Sequence, residues 1–160
     1  MTTTLTPGTL TATVTEAITM NGVDHGSTNT KTYTSIIKEI SKRIVTITTT
    51  EAEILKFHAS EVDAGRYIIG NVRYMRFTNK DDTNFITLTF TNEDSDEVAI
   101  KLDAGQSFIW NGDNSGGLVD NFNAVTAGNA ASDTALADVT GVQADANEDD
   151  CDLEIFIASV

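Results

Sequence analysis

The stretch Gly112-Asp113-Asn114-Ser115-Gly116-Gly117 is where residue types and spacing first suggest chemistry. A serine set among glycines beside an acid could serve as a nucleophile, given a histidine base and an oxyanion hole. The intervening Asn114 would displace the serine from the backbone amides such a hole needs. His25 and His58, the two histidines, stand in no base motif, so a glycine-rich turn after Trp110 is the simpler reading. Asn111, Asp113 and Ser115 also offer oxygen at alternating positions, as a calcium loop does. The twelfth position is Phe122, where a bidentate carboxylate is required. Asp81-Asp82 and the trio Asp94, Asp96 and Glu97 are further oxygen-rich loops, read as solvated turns in preference to weak calcium sites. His58, Glu61 and Asp63 cluster, but zinc wants three or four well-spaced His or Cys ligands. Cys151 opens an apolar strand face and reads as a buried, inert thiol. No glycine-rich phosphate loop occurs. The residues therefore predict no enzyme, no metal and no cofactor.

A basic island runs through Arg66, Arg73, Arg76 and Lys80, with Tyr67 and Tyr74 between them. Alternating cations and aromatics can grip single-stranded nucleic acid. The whole chain opposes that use: 160 residues carry 10 Lys+Arg against 24 Asp+Glu, for a net charge of −14. Such a surface repels phosphate backbones. The island then reads either as an outward strand face paired with carboxylates or as a contact patch for an acidic protein. Trp110 reads as core or as an interface anchor. The charge is also unevenly placed. Residues 1–101 hold all ten basic side chains against thirteen acidic ones; residues 102–160 hold eleven acidic and none basic. One half could dock while the other stays solvated.

The elements that must position these groups are strands. There are 25 threonines and one proline, and apolar residues alternate with polar ones along much of the chain. Met1–Thr9 reads as an extended arm. Leu10 to Met20 reads as a half-buried strand, and Ile36, Ile37, Ile40 and Ile44 behind Ser35 as a short helix. Residues 43–49 and 52–57 read as two strands. Residues 71–78 and 84–91 form a predicted hairpin across 79–83, followed by strands at 98–102 and 107–110, together a meander. Residues 111–138 form a long loop, 139–146 a strand and 151–158 the last strand. About nine strands predict an all-β, antiparallel β-sandwich, a jelly roll being one form of it, as a single domain over 10–160. No apolar run approaches a membrane span, and residues 1–30 have no Lys, Arg or apolar block, so neither membrane insertion nor a secretory signal is expected.

The run from Val72 to Ile86 carries the pattern Tyr74-x-Arg76-φ-x-Asn79-x-Asp81-x-x-Asn84-φ, with φ apolar. It resembles a pattern in small virion structural proteins of tailed phages, especially marine ones. The continuation Ala99 to Ile109, with its Ala104-Gly105 turn, and the ending Asp152 to Ala158 are similar as well. The resemblance spans about residues 66–112 and 137–160 and includes no catalytic group. It implies a β-sandwich that decorates or cements the outer capsid surface, bound to the major capsid protein and forming a homo-oligomer, a trimer for preference. Thr2, Thr3, Thr4, Leu5 and Pro7 of the arm, with Arg66, Arg73, Arg76, Lys80 and Trp110, would then make the contacts, with no nucleic acid and no membrane involved. The alternative is a tail or adhesion module whose 110–138 loop binds host carbohydrate.

Overall fold

The computed structural model describes residues 4–60, 65–123 and 136–160. The chain begins with a ribbon. Strand β1 (Gly8–Glu16) pairs antiparallel with β4 (Ser27–Ile37), and between them β2 (Thr19–Met20) and β3 (Val23–Asp24) form a small hairpin at the tip. Asn21 and Gly22 both have positive φ, 53° and 78°, as the tight two-residue turn of a hairpin demands. Only the base of the ribbon is packed: Tyr33 and Ile37 are buried and Leu10 and Ala12 half-buried. Val14, Ile18 and Met20, read from the sequence as continuing the buried face, are exposed.

The next strands are β5 (Glu39–Ile47) and β6 (Ala52–His58). They replace the short helix expected from Ile36, Ile37, Ile40 and Ile44. Positions 36, 40 and 44 satisfy a helical spacing of four, but they also share one parity, and in strand geometry that sends Ile40 and Ile44 to the same outer face. Ser35, expected to cap the helix, instead sits at a positive φ of 53° inside β4. The register of β1 against β4 shifts there, and the Thr9 hydroxyl accepts a hydrogen bond from the Ser35 amide.

Beyond β7 (Arg66–Ile68) and a single 3₁₀ turn lie β8 (Val72–Asn79), β9 (Ile86–Asn92), β10 (Glu97–Leu102) and β11 (Ser107–Asn111). Strands β12 (Val139–Ala146) and β13 (Cys151–Ser159) close the chain. Two sheets form the sandwich, one ordered β11-β8-β13-β5 and the other β10-β9-β12-β6-β7; every pairing is antiparallel except β6 with β7. The predicted 79–83 hairpin is thus a corner, because β8 and β9 belong to opposite sheets. Nor do β9, β10 and β11 form a meander: β10 pairs with β9, but β11 crosses back to β8. Burial decides this outcome. Phe77 and Met75 of β8 face Phe90, Leu88 and Ile86 of β9 across the core, all fully buried, and the Phe77 and Phe90 rings meet edge to face at 5.9 Å.

The motif residues of the phage-like pattern build that corner. Asn79 is fully buried and donates from Nδ2 to the carbonyls of Asn84 at 2.8 Å and Leu102 at 3.1 Å. Asp81 accepts from the amides of Thr83 and Asn84, which holds its carboxyl below the ordinary value. The pattern therefore has a structural task, turning the chain from one sheet to the other.

Candidate docking surface

Period-two alternation divides the basic island before any packing is considered. Arg73 and Arg76 are three apart on one strand, so they leave β8 on opposite faces. Arg73 is 5% exposed. Its guanidinium donates from Nε to the Asn114 carbonyl at 3.1 Å, from Nη1 to Gly70 at 2.7 Å and from Nη2 to Ser115 at 3.3 Å. It pins the 112–118 loop against the end of the sandwich. Gly117 answers to the same contact: its φ is +72°, and a Cβ there would lie 2.5 Å from the Gly70 carbonyl oxygen. Tyr33 locks the loop from the ribbon side, donating its hydroxyl to the Gly112 carbonyl at 3.0 Å. Burial first, and then the Tyr74 and Asp113 charges, raise the Tyr33 pKa against the lowering effect of Arg73.

The other expected contact residues scatter. Arg66 lies on β7 at the edge of the five-stranded sheet, and Lys80 is exposed at the corner after β8. Tyr67 packs toward Phe57, and Tyr74 is buried under the ribbon. Trp110 is half-buried in an aromatic cluster, 5.2 Å from Phe90, 5.9 Å from Phe108 and 6.4 Å from Phe122. That is the core placement of the two the sequence allowed. Leu5 is 61% exposed, Thr4 is exposed and Pro7 half-buried, while Thr2 and Thr3 lie outside the described residues. So do Glu61, Asp63 and the 124–135 part of the long loop.

The loops with chemical potential use their polar groups internally. Asp113 accepts from the Ser115 hydroxyl and from the amides of Ser115 and Gly116, bonds that hold its carboxyl well below the usual carboxylate range. Cys151 is fully buried, which raises its thiol pKa, and its Sγ contacts the Asp149 carbonyl at 3.4 Å. Among the described residues no group of three His, Cys, Asp or Glu is placed to hold a metal, and no helix is long and apolar enough to cross a membrane.

What the fold does assemble is the outer face of the four-stranded sheet. The registers set Tyr74 beside Asn111 and Ala158, with Ala158 beside Ile40. The next row runs Ile109, Arg76, Phe156, Lys42, and the third runs Ser107, Thr78, Glu154, Ile44. The ribbon base covers Tyr74 and Ala158. Phe156 is half-buried against that base, and the margins are open: Ile40 is 62% exposed, Ile44 58% and Ile109 37%. Glu154 sits between two cations, 2.5 Å from Arg76 Nη2 and 3.3 Å from Lys42 Nζ. Arg76 also donates to the Thr78 hydroxyl. The face is thus apolar at its margins, with an ion network at its centre in which one carboxylate serves two cations. The sequence signal for it was Ile40 and Ile44, hidden by the helical reading.

The Arg76 hydrogen bond, and then Lys42, lower the Glu154 pKa. The charged form is the one held, so its contribution is complete above the ordinary carboxylate pKa of about 4.3 and is lost as pH falls through the lower folded value. Glu154→Gln should therefore lower stability at pH 7 by about 1 kcal/mol and make little difference at pH 2. Urea unfolding of both proteins at the two pH values checks this; equal destabilisation at both would mean the carboxylate charge is not what matters.

No family model matches the sequence, and no curated protein matches it.

Proposed function

We propose that this chain is a non-enzymatic structural protein of a tailed-phage virion, one that decorates or cements the outer capsid surface by bridging capsid subunits. The observation that carries the reading is the ribbon. From Thr13 to Thr30 every residue except Gly26 is exposed, so two strands extend past the sandwich with nothing of their own chain to bury. Such an arm costs conformational entropy and returns almost no folding energy by itself. Its sense lies in a partner: among the described residues neither long edge pairs with a further strand, so both can add strands to another sheet. The phage-like motif at 72–86 supports the same class.

The strand orders also support a finer fold reading. Setting β7 aside, the sheets run β5-β13-β8-β11 and β6-β12-β9-β10, the order of two interleaved Greek keys, and we read the wrap as a jelly roll. In this reading the major capsid protein is the partner of the ribbon and of the Met1–Thr9 arm that leads into it. The acidic 102–160 half needs no anionic contact.

Replacing residues 17–26 by a two-residue Asn-Gly turn tests the ribbon's role. The melting temperature should stay within about 2 °C, since the removed segment buries almost nothing, while binding to capsids prepared without the protein should be abolished in a cosedimentation assay. Undiminished binding would remove the ribbon from the account.

A further inference from the structure

The chain carries two uncovered apolar surfaces of different shape. One is the ribbon tip, where Met20 and Val23 are a cross-strand pair, each 56% exposed, beside Ile18 at 50%. The other is the open sheet face around Ile40 and Ile44. Their charges are complementary. The tip half of the ribbon holds Glu16 and Asp24, and no Lys or Arg occurs before Lys31. Lys42, 58% exposed, and Lys38 just before β5 stand two residues to either side of Ile40. Glu154 and Asp152 lie on the Ile44 side, while Arg43 leaves the strand on the opposite face, donating to the Ile54 carbonyl. We propose that the occupant of the sheet face is the ribbon tip of a second copy of this chain: Met20, Val23 and Ile18 of one protomer cover Ile40 and Ile44 of the next, with Glu16 and Asp24 drawn toward Lys38 and Lys42.

Because tip and face are different patches, the contact is head to tail, and each protomer gives one tip and receives another. A head-to-tail contact closes into a ring or runs on into a filament. A single tip is smaller than the ~800 Å² per partner of a standard interface, so ring closure is what makes the assembly persist. This deepens the decoration reading by naming a second partner, and the free protein tests it without any capsid.

Sedimentation of the full chain at tens of micromolar should show a closed oligomer, and Met20→Asp and Ile44→Asp should each shift it to the 17.2 kDa monomer. Both positions are exposed, so circular dichroism should be unchanged; the melting temperature should hold for Met20→Asp and fall by about 5 °C or less for Ile44→Asp, whose carboxylate stands beside Glu154. Mixing the two variants leaves one intact tip and one intact face, and should give a 1:1 heterodimer. As an independent check on weak association, Met20→Cys and Ile44→Cys chains should cross-link to each other on oxidation, at least tenfold more than either does to itself. A monomeric full chain, an oligomer that survives either aspartate, or Met20→Cys homodimers would overturn the proposal. An intact oligomer that fails to bind capsids would instead refute the capsid reading and leave this contact standing.

Discussion

Phe90→Ala should remove about 3–5 kcal/mol of stability, which is much of the ~5–15 kcal/mol available to a domain. Phe90 is fully buried on β9, yet its neighbours are on the other sheet: Phe77 of β8 at 5.9 Å, and Phe108 and Trp110 of β11 at 5.4 and 5.2 Å. One ring therefore holds the two sheets together at the place where the chain turns its corners. Truncation leaves a cavity walled by three aromatics that belong to a different ladder, and backbone hydrogen bonds keep them from closing in. Urea unfolding gives the value directly. A loss below about 1.5 kcal/mol would mean that the cavity collapses freely and the sheets are not locked through this cluster.

Arg73→Ala should cost about 3 kcal/mol and loosen one end of the sandwich selectively. The substitution strips the Gly70, Asn114 and Ser115 carbonyls of their donor in a setting where Leu118 beside them is fully buried. Arg73→Lys should recover little of it, because an ammonium on a flexible stem cannot fork to three carbonyls in a fixed plane. Hydrogen exchange should show the amides of Gly117 and Leu118, which bond to Asp113 and Ile69, losing protection before those of β9 and β13. The same experiment separates a buried tether from a contact residue: unchanged stability with weakened capsid binding would return Arg73 to the docking surface.

Much of the fold was legible because burial on one face imposes alternation. Cys151, Leu153, Ile155 and Ile157 mark β13, and Ile86, Leu88 and Phe90 mark β9, since a slip of one residue would turn each set out to solvent. Pairing was not legible. A five-residue loop joins strands within a sheet or across sheets equally well, and β8 finds its partners at β11 and β13, far along the chain, where local pattern is silent. Ile36, Ile40 and Ile44 misled because a spacing of four belongs to both periods. The ribbon was obscured for a different reason: Thr11, Thr13, Thr15, Thr28 and Thr30 form strands whose inner face is hardly buried, so their alternation with Val14 and Ile18 promised a core contact that the fold does not make. The division of the basic island could have been read, since residues 73 and 76 have opposite parity on any strand. The ion network of Arg76, Glu154 and Lys42 could not, because it joins three strands that only the folded register brings side by side.

We propose that this sandwich attaches to a capsid and that its ribbon reaches a neighbouring molecule. Cryo-electron microscopy of tailed-phage particles assembled with the protein tests this most directly. The expected result is density for a two-sheet sandwich on the outer capsid surface, at symmetry-related positions, with the Gly8–Ile37 ribbon lying against an adjacent subunit. Density confined to the tail, or a capsid-bound sandwich whose ribbon touches nothing, would contradict it.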